Sequence, residues 1–98
     1  MMTSDKIVFY GGGAWGQALA IALSNCNTKS SILVSDKQRM LSLNNGITKC
    51  FPDIVFPNSI NVLIDKNILK SADLVFVTTQ SFRVQDAVDE VVSFNPDI

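Results

Sequence analysis

Three glycines within six residues, Gly11, Gly13 and Gly16, stand directly after the strand-forming run Lys6-Ile7-Val8-Phe9-Tyr10 and open a helix-forming stretch, Ala14 to Asn25. Alone, G-x-G-x-x-G is a weak signal, because such spacings arise by chance. Its surroundings strengthen it. A second run of strand formers, Ile32 to Val34, follows the helix. An acidic residue, Asp36, stands just after that run, twenty residues beyond Gly16. Strand, glycine turn, helix, strand and acid, in that order, form the fingerprint of a dinucleotide-binding βαβ unit.

The three glycines have different tasks in such a unit. Gly11 permits the tight turn out of the strand. Gly13, lacking a β-carbon, lets the backbone approach a pyrophosphate. Gly16 lets the helix pack close to the strand. The helix N-terminus then presents unpaired N–H groups and a partial positive charge to the phosphates. A strand-to-helix turn that needs glycine only for its backbone angles is the plainer explanation, but it leaves Asp36 without a role. Asp36 can accept both hydroxyls of an adenosine ribose and would repel a 2′-phosphate. Lys37 and Arg39 stand close enough to offset that repulsion, so NAD is expected and NADP is a second option. A solvated turn aspartate is the simpler reading of the same residue.

The rest of the chain continues the alternation. Lys37 to Leu43 is weakly helical and Asn44-Asn45-Gly46 stops it. Ile47 to Ser59, with Pro52 and Pro57, reads as an irregular loop. Ile60 to Ile64 is a third strand, Lys66 to Lys70 a short helical turn, and Leu74 to Thr79 a fourth strand rich in β-branched residues. A last helix starts at Ser81, with Val84, Ala87, Val88, Val91 and Val92 on one stripe. The expected fold is α/β: a Rossmann-like, doubly wound parallel sheet, truncated after about four strands, with order 3-2-1-4. The first helix is apolar around nearly its whole circumference, so burial on more than one side is expected.

Composition narrows the function classes. At 98 residues the chain holds one domain, and 47% apolar against 17% charged residues make it globular. A net charge of −1 gives neither a basic footprint for nucleic acid nor a polybasic membrane patch. No apolar run approaches the roughly 20 residues of a membrane span. The polar start, Met1 to Lys6, does not read as a signal peptide. The absence of histidine removes Ser-His-Asp and Cys-His catalysis and histidine-based zinc sites. Cys26 and Cys50 lack a partner motif and read as inert fillers, two free thiols in a reducing cytoplasm. Trp15 reads either as a packing residue or as one whose amide meets the phosphate while its ring walls the site. Thr78-Thr79-Gln80-Ser81 lies at the C-terminal end of the fourth strand, where ligands of open α/β sheets sit. Ser81 is therefore a cofactor-binding candidate, and Phe82 or Arg83 can lie against the adenosine half.

The stretch GGGAWGQALAIAL, Gly11 to Leu23, resembles the start of NAD(P)-dependent glycerol-3-phosphate dehydrogenases, whose first strand leads into G-x-G-[AS]-W-G-[TQ]-A-L-A. Phe51-Pro52 and Phe56-Pro57-Asn58-Ser59-Ile60 resemble that family's Leu-Pro-Gly and Leu-Pro-x-Asn-Ile stretch. Ser71 to Val77 resembles its Ala-Asp-Leu-Ile-Leu-Val strand. The resemblance runs in order along nearly the whole chain. It implies cofactor contacts at the turn, including Ala14 and Trp15, and at Asp36 and Lys37. Two departures stand out. Gln80 precedes Ser81 where the family usually has proline, and Asp36 stands where the family often has arginine or histidine.

The resemblance also implies an activity: hydride transfer between NAD(P) and C2 of sn-glycerol 3-phosphate, a small phosphorylated substrate, with dihydroxyacetone phosphate as the reverse substrate. The family's active-site lysines and phosphate-binding groups lie beyond the point matching Ile98, so residues 1–98 are expected to be an N-terminal dinucleotide-binding fragment with no catalytic residue of its own. Alternatives are another dehydrogenase with the same first domain, against which the G-A-W-G turn and proline loop speak, and a non-catalytic nucleotide-sensing module. An uncovered fourth strand, with Val75 and Val77 gaining most from a neighbour, makes self-association through that edge a further expectation.

Overall fold

The computed structural model describes residues 6–98; all of the polar start except Lys6 lies outside them. The elements are β1 (Ile7–Tyr10), α1 (Ala14–Asn25), β2 (Ser31–Leu33), α2 (Lys37–Asn44), β3 (Asn61–Leu63), a 3₁₀ turn at Lys66–Ser71, β4 (Leu74–Val77), a second 3₁₀ turn at Ser81–Arg83, and α3 (Val84–Phe94). The strands form one sheet of order β3-β2-β1-β4, parallel throughout. This is the expected Rossmann-like arrangement. Two crossovers carry the chain outward from β1 to β3, and the next crossover returns it to the other side of β1. That reversal opens a crevice at the C-terminal ends of β1 and β4.

The strands' two-residue alternation splits the core into two layers. Phe9, Ile32 and Val62 join Ala20 of α1, Leu43 of α2, and Val34, Phe56 and Ile60 on one face. Val8 and Leu33 join Leu69, Ala72 and Val91 on the other. The ladders run beyond the strands toward the glycine turn. Gly11 N–H donates to the Leu33 carbonyl at 3.0 Å, Val34 to Leu63 at 2.8 Å, and Thr78 to Tyr10 at 2.9 Å. Asn95 clamps the end of α3, its Nδ2 donating to the carbonyls of Leu69 and Ala72 at 2.9 Å each. Among the described residues no helix is long and apolar enough to cross a membrane.

The structure corrects several local expectations. β2 runs Ser31–Leu33 rather than Ile32–Val34, and β3 and β4 are shorter than expected. The last helix is preceded by a 3₁₀ turn, so its α-helical part begins at Val84. α1 is not buried on several sides: only Gly16, Gln17 and Ala20 are buried in it, and Trp15 is 77% exposed. The sheet covers one side of α1, so its apolar circumference exceeds the cover available. The valine stripe of α3 likewise divides. Ala87 and Val91 are buried, whereas Val84, Val88 and Val92 face outward. On β4, Leu74 and Phe76 are the exposed residues, at 45% and 40%, rather than Val75 and Val77, which are half-buried. Cys26 and Cys50 are free and exposed and so fill no core space; they sit just after α1 and in the loop before β3, outside the packed layers.

The turn depends on missing β-carbons. Gly11 has φ +122°, a region that side chains rarely enter. A β-carbon on Gly16 would collide with the Gly11 carbonyl oxygen and stand 2.8 Å from Thr78 Oγ1. Gly13 is different: φ is −79° and a β-carbon there meets nothing within 4 Å. Gly16→Ala is therefore expected to destabilise the fold by about 1–3 kcal/mol through overpacking against backbone. Gly13→Ala is expected to be neutral or to stabilise by about 0.5 kcal/mol, by narrowing the unfolded ensemble. Urea unfolding midpoints of the two variants check this. Equal midpoints would mean that α1 can shift off β1 without loss.

Candidate functional site

The N-terminus of α1 is bare. Gly13 is its N-cap and provides no side-chain cap, and the first turn carries no acidic residue. The first intrahelical bond runs from Gln17 N–H to the Gly13 carbonyl at 3.1 Å. The amides of Ala14, Trp15 and Gly16 precede it and have no carbonyl four residues back within the helix. Space beside Gly13 is open, so an acceptor can come close to the backbone there.

Side chains hold the other polarity of the turn. The Gly12 carbonyl accepts from Gln17 Nε2 at 2.8 Å and from Arg39 Nη1 at 3.2 Å. Thr78 Oγ1 lies 3.1 Å from both the Tyr10 and Gly11 carbonyls and can donate to either. Gln17 is only 2% exposed. Its Oε1 accepts from the Thr48 hydroxyl, and its Nε2 also reaches Cys50 Sγ at 3.6 Å. The irregular loop before β3 is thereby tied to the back of the turn. A β-carbon on Gly12 would run into Val34 Cγ1, so this second glycine is also a packing requirement. The sequence reading assigned no role to Gly12, Gln17 or Thr48. The one available signal was Gln17, an amide within the apolar run of α1.

Beside the turn lies a cleft of about 510 Å³ at the C-terminal ends of the strands, within the usual range for a small-ligand site. Gly11, Gly12, Asp36 and Arg39 line one part of it; Thr79, Phe82 and Arg83 line another. Asp36 is the N-cap of α2, its Oδ1 accepting from Gln38 N–H at 2.8 Å. Among the described residues its Oδ2 receives no hydrogen bond. Thr79 Oγ1 is buried and has no hydrogen-bond partner among the described residues, and leaving a hydroxyl so costs roughly 1–3 kcal/mol. The Arg83 guanidinium lies 5.6 Å from the centre of the Phe82 ring.

The sequence-predicted residues thus separate. Gly11 and Asp36 share the cleft, and Arg39, Phe82 and Arg83 join them. Gly13 and Ala14 edge the bare helix terminus, while Gly16 is buried beneath the turn. Trp15 stands exposed on the first turn of α1, so it is not a core packing residue. Lys37 opens α2, and Ser81 opens the second 3₁₀ turn; both are exposed and neither lines the cleft.

A polar cluster missed by sequence reasoning completes the cleft. Tyr10, Lys66 and Asp86 line it, and Glu90 holds two of them by hydrogen bonds. The Tyr10 hydroxyl donates to Glu90 Oε1, and Lys66 Nζ donates to Glu90 Oε2 at 2.8 Å. Burial, then the hydrogen bond to Glu90, then the charges of Glu90 and Asp86 push the Tyr10 phenol up to about 12. The hydrogen bond from Lys66, then that from Tyr10, holds Glu90 below the ordinary 4.5, against the upward push of burial. Lys66 is 48% exposed, so the ion pair contributes roughly 0–1 kcal/mol and mainly orients its members. Tyr10 ends β1 and Glu90 sits on α3, so no local pattern announced their meeting.

Residues 6–97 match the family described as NAD-dependent glycerol-3-phosphate dehydrogenase N-terminus. A glycerol-3-phosphate dehydrogenase (NAD(P)+) of Halothermothrix orenii is 29% identical over 91 residues, 90% of this chain and 27% of that protein. One of Orientia tsutsugamushi is 25% identical over 88 residues, 88% of this chain and 27% of that protein. The chain spans about a quarter of the length of these curated relatives.

Linkage gives the cluster a pH signature. A raised phenol contributes stability below its ordinary 10.0 that is lost as pH climbs toward 12, and a lowered carboxylate contributes above 4.5 and fades as pH falls below it. Tyr10 is the single tyrosine, so ultraviolet absorbance of tyrosinate reports it alone. At pH 10, where a free phenol is half ionised, Tyr10 is expected to stay largely protonated. Glu90→Gln is expected to raise the tyrosinate fraction at that pH. Half-ionisation at pH 10 in the folded, unsubstituted chain would show that the cluster does not form.

Proposed function

The chain belongs to the family of NAD-dependent glycerol-3-phosphate dehydrogenase N-termini, and on that premise we propose that residues 1–98 form a dinucleotide-binding domain that holds the pyrophosphate of NAD at the start of α1 and its adenosine half in the cleft beside Asp36. The carrying observation is the asymmetry of the turn: its carbonyls are taken by Gln17, Arg39 and Thr78, while the first amides of α1 are bare. Such a surface suits an anion. The residues fit the cofactor on two further counts. Gly13 leaves open the space that a β-carbon would fill, and Thr79 Oγ1 is a buried hydroxyl without a partner among the described residues.

The roles follow from position. The amides of Ala14, Trp15 and Gly16 donate to phosphate oxygens, and Gly11 and Gly13 set the turn and the clearance. The free oxygen of Asp36 accepts from ribose hydroxyls. Lys37 and Ser81 stand at the rim, next to Asp36 and Phe82 respectively. Arg39 spends one N–H on the Gly12 carbonyl and keeps others, so NADP is a second cofactor behind NAD. The relatives' names carry the reading further. The domain serves an oxidoreductase that interconverts sn-glycerol 3-phosphate and dihydroxyacetone phosphate. The nicotinamide supplies hydride transfer when bound; the residues here bind and orient. A reducing, cytoplasmic setting suits the two exposed thiols.

The exposed edge supports a further proposal, that copies of the chain associate through β4. Among the described residues β4 is paired only with β1, and no lysine or proline lies within it to blunt its apolar edge. Sedimentation across a dilution series is expected to show a concentration-dependent larger species, which Phe76→Lys removes. A monomer at every concentration sinks this proposal.

Gly13→Val is expected to lower NAD affinity more than tenfold in calorimetric titration while the fold survives, because the added carbons fill the phosphate approach. Undiminished affinity in that folded variant would falsify pyrophosphate binding at this turn. Asp36→Arg is expected to swing the NAD/NADP preference toward NADP by about 1–3 kcal/mol, the value of a charge-assisted hydrogen bond. An unchanged ratio would leave Asp36 as the cap of α2 alone.

A further inference from the structure

We propose that the cleft reads the polar edge of the adenine base, with the Asp86 carboxylate accepting from the 6-amino group and the Lys66 ammonium donating to N1. The inference rests on the reading of the cleft as the adenosine pocket. It adds a chemical choice among bases, which the glycine turn and Asp36 do not make.

The cleft has the two surfaces a purine needs. Leu33, Val34, Ala87 and Phe82 provide apolar walls for the faces of a flat base. Tyr10, Lys66 and Asp86 gather polar groups where the 3₁₀ turn after β3 and the start of α3 meet the end of β1. Their partners are already arranged. Glu90 takes the Lys66 ammonium at 2.8 Å and also accepts the Tyr10 hydroxyl. One ammonium proton is used there and two remain. Tyr10 keeps its proton on Glu90 and presents only lone pairs to the cleft. Asp86 is the counterpart. It lines the cleft, and its carboxylate receives no hydrogen bond among the described residues. The cleft lining therefore offers both an anionic acceptor and a cationic donor.

Adenine carries the complementary pair on its Watson–Crick edge: the 6-amino group, which donates, beside N1, which accepts. Hypoxanthine, the deaminated base, reverses both. Its carbonyl oxygen would face the Asp86 carboxylate, and its ring N–H would face the Lys66 ammonium. The rejected base thus loses two hydrogen bonds and gains two like-polarity contacts, and a site built to pair with a donor penalises its absence most.

The test compares NAD with nicotinamide hypoxanthine dinucleotide, which differs only at the purine, by calorimetric titration of the chain. NAD is expected to bind about tenfold tighter, the lower end of what a hydrogen bond to a charged group supplies at a solvent-facing site. Asp86→Asn, whose side chain can also donate, is expected to narrow the gap to about threefold, mainly by improving the deaminated dinucleotide, with the Lys66 contact keeping the remainder. Asp86 is exposed, so the variant keeps the fold, which circular dichroism verifies. Equal affinities in the unsubstituted chain would overturn base reading while leaving the cofactor assignment intact. An unchanged tenfold gap in Asp86→Asn would overturn the role of Asp86. Failure of both dinucleotides to bind would overturn the cofactor reading and this inference with it.

Discussion

The approach of Gly16 to the Gly11 carbonyl and to Thr78 Oγ1 allows no β-carbon between them, and it sets where α1 begins relative to β1 and β4. Because α1 starts there, its first amides point past the ends of the strands. Gly11 must turn the chain sharply, at φ +122°, to bring α1 over the sheet. Gly12 must lie against Val34 to leave the loop flat on β2. A single added carbon at any of these positions would push the helix outward, and the cleft beside it would change shape.

The polarity of the site comes from an unequal distribution of hydrogen bonds. Here Gln17, Arg39 and Thr78 engage the carbonyls of Gly11 and Gly12, and Thr48 keeps Gln17 in place. What remains for a ligand is the donating side of the backbone, reinforced by the dipole of α1. The glycine turn is thereby left with its donating backbone groups open, because side chains already occupy its carbonyls. In the same cleft, Glu90 fixes two side chains at once, the Tyr10 hydroxyl and the Lys66 ammonium.

Much of this was legible along the chain. The strand formers, the glycine spacing and the acid after β2 specified the βαβ unit and its handed order because they act over a few residues each, where local sterics and period-two or helical patterning dominate. The bounds of α1 were readable for the same reason. Burial was not. α1 and the valine stripe of α3 are more apolar than the sheet can cover, so Trp15, Val84, Val88 and Val92 remain outside. A residue's apolarity is intrinsic to it, whereas its cover depends on how many layers surround it.

The sequence by itself pointed to a parallel sheet with a glycine turn at the C-terminal end of its first strand, since runs of strand formers alternating with helix-forming stretches favour right-handed βαβ units and the glycines fall between the first strand and the first helix. Only the tertiary structure decided what surrounds that turn. Tyr10 meets Glu90 from 80 positions away, and Thr48 meets Gln17 from 31 away. Such contacts arise from crossovers that bring distant loops to one end of the sheet. Hydrogen bonds between them depend on ångström-scale placement, which packing sets and residue spacing along the chain does not encode.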